Sequence, residues 1–110
     1  MKRRYSLGNN KIQKLIETGK FIKAQNSVIY FEKTLSFSGG FAVAVSKKIK
    51  PIVKKNKIRR QVQNIMRKLK PYWINYNIIV ITKKNYLEST FQENGQIIHK
   101  VLQKIETFKS

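Results

Sequence analysis

The 110-residue sequence predicts an α+β fold, a single-domain α-β-β-α-β-α sandwich with helices packed over a small sheet. Three observations carry that expectation. Two stretches, Ile58 to Leu69 and Ile97 to Phe108, repeat apolar residues at helical spacing. Three runs rich in β-branched and aromatic residues lie at Phe21 to Phe31, Phe41 to Val45 and Tyr76 to Thr82. Glycine and proline punctuate the boundaries, with no repeat, linker or change of composition to divide residues 1–110 into two domains.

In chain order, Asn9 or Asn10 is positioned to cap a short helix that carries Ile12, Leu15 and Ile16 on one face and ends at Gly19. Phe21 to Phe31 reads as one strand, with Val28 and Tyr30 alternating against Ile29 and Phe31. Ser38-Gly39-Gly40 is a turn signal before a second strand at Phe41 to Val45, and the two strands are expected to pair as an antiparallel hairpin. Pro51 interrupts the chain before a helix from about Lys54 to Lys70, whose buried stripe is Ile58, Val62, Ile65, Met66 and Leu69. Pro71 stops that helix, and Trp73 after it is expected to close the core. Tyr76 to Thr82 is a continuous apolar strand, covered on at least one face by the long helix. A final amphipathic helix from about Glu93 presents Ile97, Ile98, Val101, Leu102, Ile105 and Phe108.

Charge points to function. The chain carries 24 Lys and Arg against 5 acidic residues, a formal net charge of +19. Repulsion of that size works against compactness, so a polyanionic partner is implied, and nucleic acid is the usual one. Residues 46–70 hold 11 of the 24 basic residues and no acid. Lys55 and Arg59, and likewise Asn56 and Arg60, stand one helical turn apart; Arg60 and Arg67 stand two turns apart. A helix this basic repels itself until phosphates neutralise it. An anionic membrane fits less well, because the helix stripe is aliphatic and is needed for the core. Asn56 has two readings, a capping amide or a contact to a base edge or hydrated metal, and capping is the simpler.

Other classes are excluded by inventory. There are no cysteines, so disulfides, thiolate metal sites and a cysteine nucleophile are absent together. No apolar stretch follows the charged start Lys2-Arg3-Arg4, and Ile78 to Ile81 is far shorter than the roughly 18 residues a membrane-spanning helix requires. A soluble protein of the cytoplasm is expected. His99, the single histidine, lies among the apolar positions of the last helix and reads as a helix-face residue rather than a general base. Glu17, Glu32, Glu88, Glu93 and Glu106 are dispersed, with no pair spaced for two-metal catalysis. No catalytic residue is assigned to this chain.

Val45-Ser46-Lys47-Lys48-Ile49, Val53 and Lys55-Asn56-Lys57-Ile58-Arg59-Arg60 together resemble the motif of the bacterial ribonuclease P protein component. That family has a Ser-Lys-Lys strand end, a short loop and a helix that opens Arg-Asn-Arg-x-Lys-Arg. Here Lys55 and Lys57 stand for the two arginines and Arg59 for the lysine, which keeps the charge but loses planar bidentate geometry at two positions. Lys50-Pro51 stands where the family usually has Gly then Asn or Lys, and Gln63 where a further Arg is common. The basic opening with Leu7, the helix Ile12 to Gly19, the strand at Val28-Ile29-Tyr30 and the strand Ile78 to Ile81 followed by Lys83 extend the resemblance over most of the chain.

The resemblance implies a left-handed β-α-β crossover, against the usual handedness. It implies a protein subunit of an endoribonuclease whose RNA subunit performs the Mg²⁺-dependent hydrolysis that removes the 5′ leader of precursor tRNA. The Mg²⁺ would be bound mainly through the RNA, with none held tightly by this chain alone. The implied partners are ribonuclease P RNA and precursor tRNA, with no membrane and no protein partner required. Lys47, Lys48, Lys55, Asn56, Lys57, Arg59, Arg60 and Arg67 would face the RNA subunit. Ile12, Ile16, Val28, Tyr30 and Ala44 fall at the positions of the leader cleft, where Tyr30 is able to stack on a base. Residue type alone leaves Tyr30, Ile12 and Ile16 open between lining that cleft and filling the core. The competing function is a ribosomal or other structural RNA-binding protein with no role in tRNA processing.

Overall fold

The computed structural model describes residues 9–34, 39–46 and 52–107. It is an α+β fold with one four-stranded sheet in the order β1-β2-β4-β3. The elements are α1 (Asn9–Thr18), β1 (Lys20–Lys23), β2 (Ser27–Lys33), β3 (Gly40–Val45), α2 (Ile52–Lys68), α3 (Lys70–Trp73), β4 (Tyr76–Thr82), a 3₁₀ turn at Lys84–Glu88, and α4 (Phe91–Thr107). β1 and β2 pair antiparallel, as do β2 and β4, whereas β3 runs parallel to β4. The connection from β3 through α2 and α3 to β4 is therefore a β-α-β crossover between adjacent parallel strands.

Two strand expectations are corrected. The run Phe21 to Phe31 is two strands, because the polar Gln25-Asn26 pair turns the chain and the Ala24 N–H donates to the Ser27 carbonyl at 2.8 Å. The hairpin expected between this run and Phe41 to Val45 does not form, since β4 lies between β2 and β3. Its apolar run explains the placement: Asn77 through Val80 are all buried, and only the centre of a covered sheet buries both faces of a strand. Helix boundaries also shift. α2 begins at Ile52, so Asn56 lies beyond its first turn and does not cap it. α1 begins at Asn9, which puts Asn10 inside the helix. The long helix ends at Lys68 rather than Lys70, and Pro71 lies in the first turn of the short α3. α4 starts at Phe91 because Thr90 and Glu93 form a capping box: the Glu93 N–H donates to Thr90 Oγ1 at 3.1 Å and the Thr90 N–H to Glu93 Oε1 at 2.9 Å.

The main core lies between one sheet face and the helices that follow. Ile29, Phe31, Phe41, Ile78 and Val80 from the sheet meet Ile58, Val62, Ile65 and Met66 of α2 and Ile98, Val101, Leu102 and Ile105 of α4. Of the expected stripes, Ile58, Val62, Ile65 and Met66 and Ile98, Val101, Leu102 and Ile105 are buried, Leu69 and Ile97 are half-buried, and Phe108 lies outside the described residues. Trp73 is fully buried, donates from Nε1 to the Met66 carbonyl at 2.7 Å, and meets Phe41 edge-on at 5.2 Å between ring centroids. Gly39 is required where β3 enters the sheet: a Cβ there would collide with the carbonyl oxygens of Trp73, Ile74 and Tyr76. The β1–β2 turn is held by buried polar groups. Asn26 Nδ2 donates to Asn94 Oδ1 at 2.8 Å, Asn94 Nδ2 to the Tyr86 carbonyl at 3.0 Å, and Ser27 Oγ to Asn26 Oδ1 at 2.9 Å. These bonds fasten the edge of the sheet to α4.

Candidate nucleic-acid interface

The second face of the sheet is assembled by register. Across β1-β2-β4-β3, Phe21 stands opposite Tyr30, Tyr30 opposite Ile79, and Ile79 opposite Ala42. The next row is Lys23, Val28, Ile81 and Ala44. Side chains alternate along each strand, so these rows lie on the face away from Ile29, Phe31, Ile78 and Val80. The structure therefore brings Val28, Tyr30 and Ala44 together although they come from separate strands. All three are half-buried, and none belongs to the main core. The aromatic rings of Phe21 and Tyr30 adjoin at 5.4 Å between centroids with a 40° tilt.

α1 packs against β2 beside this face, anchored by the fully buried Leu15. Leu15 and Ile79 are buried outside the main cluster, which marks a second, thinner packed layer. Ile12 is half-buried and Ile16 is 42% exposed, so neither fills the core. Ile12, Ile16 and Tyr30 all stand outside the main core cluster, Ile12 and Tyr30 half-buried and Ile16 exposed. Phe21, 49% exposed, was missed as a site residue. Only the turn at Gln25-Asn26 folds it back beside Tyr30, a placement that one continuous strand over Phe21 to Phe31 does not allow.

The basic residues of α2 do not form one edge. Asn56, Arg60 and Arg67 follow one another on the side opposite the buried stripe, and all are exposed. Lys55 and Arg59 flank them on one side, Lys55 half-buried and Arg59 exposed. Lys57 is on the other flank with Lys54, where both line a cavity of about 320 Å³ closed by Gln61, Tyr86 and Phe91. Among the described residues, the side chains of Lys55, Lys57, Arg59 and Arg60 make no hydrogen bond or ion pair, whereas that of Arg67 reaches Asn64 Oδ1 at 3.5 Å. Lys47 and Lys48 lie outside the described residues. Burial pushes the Tyr86 hydroxyl up to about 12; it donates to Gln61 Oε1 at 3.1 Å and ties the 3₁₀ turn to α2.

Among the described residues no cluster of three or more His, Asp or Glu is arranged to hold a metal, and no helix is long and apolar enough to cross a membrane. His99 is a helix-face residue packed edge-on to Tyr72, 4.8 Å between ring centroids.

A family model described as Ribonuclease P matches residues 1–106. The chain belongs to the ribonuclease P protein family. It is 34% identical over 110 residues to the ribonuclease P protein component of Mycoplasma mobile, covering 99% of this chain and 96% of that one. The corresponding protein of Mycoplasmopsis pulmonis is 28% identical over 111 residues, with 99% and 98% coverage. Among solved structures, an RNase P protein of Staphylococcus aureus superposes with a TM-score of 0.82 at 22% identity, covering 98% of this chain and all of that one. The RNase P protein of Thermotoga maritima gives 0.79 at 19% identity, with 94% and 97% coverage. These two likenesses establish the fold. Family membership establishes a protein component of a tRNA-processing endoribonuclease in which the catalysis belongs to the RNA.

Proposed function

We propose that residues 1–110 act as one unit, the protein subunit of ribonuclease P, with two separate RNA-binding surfaces. The observation that carries this reading is the segregation of chemistry between them. α2 presents cations with no compensating acid in the helix, the composition that binds phosphates irrespective of sequence. The second sheet face presents Phe21, Tyr30, Val28, Ile81 and Ala44, with the single cation Lys23 at its β1 edge, a mainly uncharged surface suited to the flat faces of unstacked bases. The first surface, Lys55, Asn56, Arg59, Arg60 and Arg67 with Lys57 on its flank and Lys47 and Lys48 preceding it in the chain, takes the folded RNA subunit. The second, with Ile12 and Ile16 along its border, takes the single-stranded 5′ leader of precursor tRNA.

The protein breaks no bond. Its residues orient the leader and neutralise phosphates, which favours precursor over mature tRNA by contacts that only the precursor makes. A hard divalent cation asks for several oxygen ligands, and on α2 Asn56 offers one amide oxygen among cations. The Mg²⁺ that supplies the hydrolytic chemistry is accordingly assigned to RNA phosphates, with none bound tightly by this chain alone and no other protein required. The reading places the protein in the cytoplasm with its RNA.

The test is reconstitution. Added to a bacterial ribonuclease P RNA, the protein should restore precursor-tRNA cleavage at low Mg²⁺, where the RNA alone is slow. Unchanged cleavage together with tight binding to ribosomal RNA would instead support a ribosomal role.

A further inference from the structure

A second depression lies between the C-terminal half of α2 and the first turns of α4, on the helical side of the molecule away from the Phe21–Tyr30 face. It encloses about 360 Å³, and Ile65, Lys68, Phe91, Gly95, Gln96 and His99 are among its lining residues. That volume falls in the range of small-ligand sites. Ile65 and Gly95 make an apolar floor, and Phe91 at its rim is 41% exposed. Lys68 and Gln96 are exposed, so a cation and an amide border the same opening. None of the residues lining it is acidic. His99 Nε2 is buried and has no hydrogen-bond partner among the described residues.

Gly95 is the informative position. It sits inside α4 with an ordinary helical backbone, where glycine costs the helix about 1 kcal/mol relative to alanine. Packing does not demand it: a Cβ would meet Ile65 at 3.7 and 3.8 Å, ordinary contact distances. The missing side chain leaves bare helix backbone over Ile65 in the wall of the depression that Phe91 also lines. A helix that forgoes alanine without a steric reason, next to an exposed aromatic ring and a lysine, has the features of a site for a flat, anionic ligand.

We propose that this groove binds one unstacked nucleotide of the RNA subunit, its base stacked on Phe91 over Gly95 and its phosphate paired with Lys68. Stacking on an aromatic face and a nearby cation are the two elements of single-strand recognition. Gln96 offers a donor and an acceptor to the base edge. The inference rests on the RNA-subunit reading for the identity of the partner, but the groove itself is testable without it.

The probe is adenosine 5′-monophosphate, titrated into the full-length protein with NMR detection of backbone amides and the His99 ring, and inorganic phosphate as the control. The expected result is saturable shifts at Gly95, Gln96 and His99 with the nucleotide and none there with phosphate. Gly95→Leu, which fills the groove, should abolish those shifts while circular dichroism stays native; Gly95→Ala should keep the fold and raise Tm. In the reconstituted particle, Gly95→Leu and Phe91→Ala should each weaken RNA-subunit binding at least fivefold, the lower end for one base stack. Shifts confined to Arg59, Arg60 and Arg67, or equal shifts with phosphate alone, would overturn the groove assignment even if precursor cleavage is restored. Groove shifts with unchanged affinity of both variants for the RNA subunit would overturn the choice of ligand. Failure to restore cleavage would bear on the ribonuclease P reading itself.

Discussion

Phe21→Ala is the sharpest probe of the leader surface, because the ring is exposed, pairs with Tyr30, and takes no part in the main core. Fully burying a Phe side chain is worth about 1.5–3 kcal/mol. At 49% exposure the truncation removes roughly half of that, near 1 kcal/mol. For a domain of this size the expected drop in Tm is about 4 °C, within the margin of a typical native state. Binding should suffer more. One base stacked on an aromatic side chain contributes about 1–3 kcal/mol, so affinity for precursor tRNA should fall about 5- to 150-fold. Mature tRNA lacks the leader and should bind the variant particle as it binds the parent. The assay is the Kd of the reconstituted particle for both RNAs at one fixed ionic strength, with Phe21→Leu as a companion that keeps apolar area but loses the π-face. Parallel loss for precursor and mature tRNA, or no loss for either, would refute the assignment of this face to the leader.

Replacing Lys55, Arg59 and Arg60 with Gln should lower the slope of log K against log salt for RNA-subunit binding by about 2–3, at roughly 0.7–0.9 per phosphate contact. Far-UV circular dichroism should be unchanged, since these side chains make no hydrogen bond or ion pair among the described residues; a native slope would show that the charges are solvated bystanders. The Tyr86 hydroxyl, raised to about 12 by burial, makes stability depend on alkaline pH. Its neutral form is favoured in the folded state, so its contribution is complete below about 10, the unfolded value, and is lost as pH rises towards 12. Urea titrations from pH 8 upward should show that loss, and Tyr86→Phe should reduce it; an unaltered pH profile in the variant would place the titration elsewhere.

Much of the molecule is legible in the residues themselves. Helical periodicity located α2 and α4, because burying one stripe of a helix requires apolar residues every three or four positions. The β4 limits, Tyr76 and Thr82, coincide with the apolar run. The excess of basic residues over residues 46–70, without a single acid, is legible in the sequence alone and singles out α2 as the most basic helix. Other features escaped local reading for identifiable reasons. The Thr90-x-x-Glu93 capping box was available as a signal and would have moved the start of α4 to Phe91. Asn26 was less readable, since its role in turning the chain depends on Asn94, 68 positions away.

Sequence by itself determined the composition of each surface: how basic α2 is, how apolar the strands are, and which residues alternate along them. It determined those properties because they follow from covalent order and from periods of two and 3.6 residues. Tertiary structure alone decided which strands are neighbours. Inserting β4 between β2 and β3 put Ala44 in the same row as Val28, and folding β1 back on β2 put Phe21 beside Tyr30. Pairing between distant strands is set by which run most needs burial on both faces, a comparison across the whole chain that no local window contains. The same packing left an open groove beside Gly95.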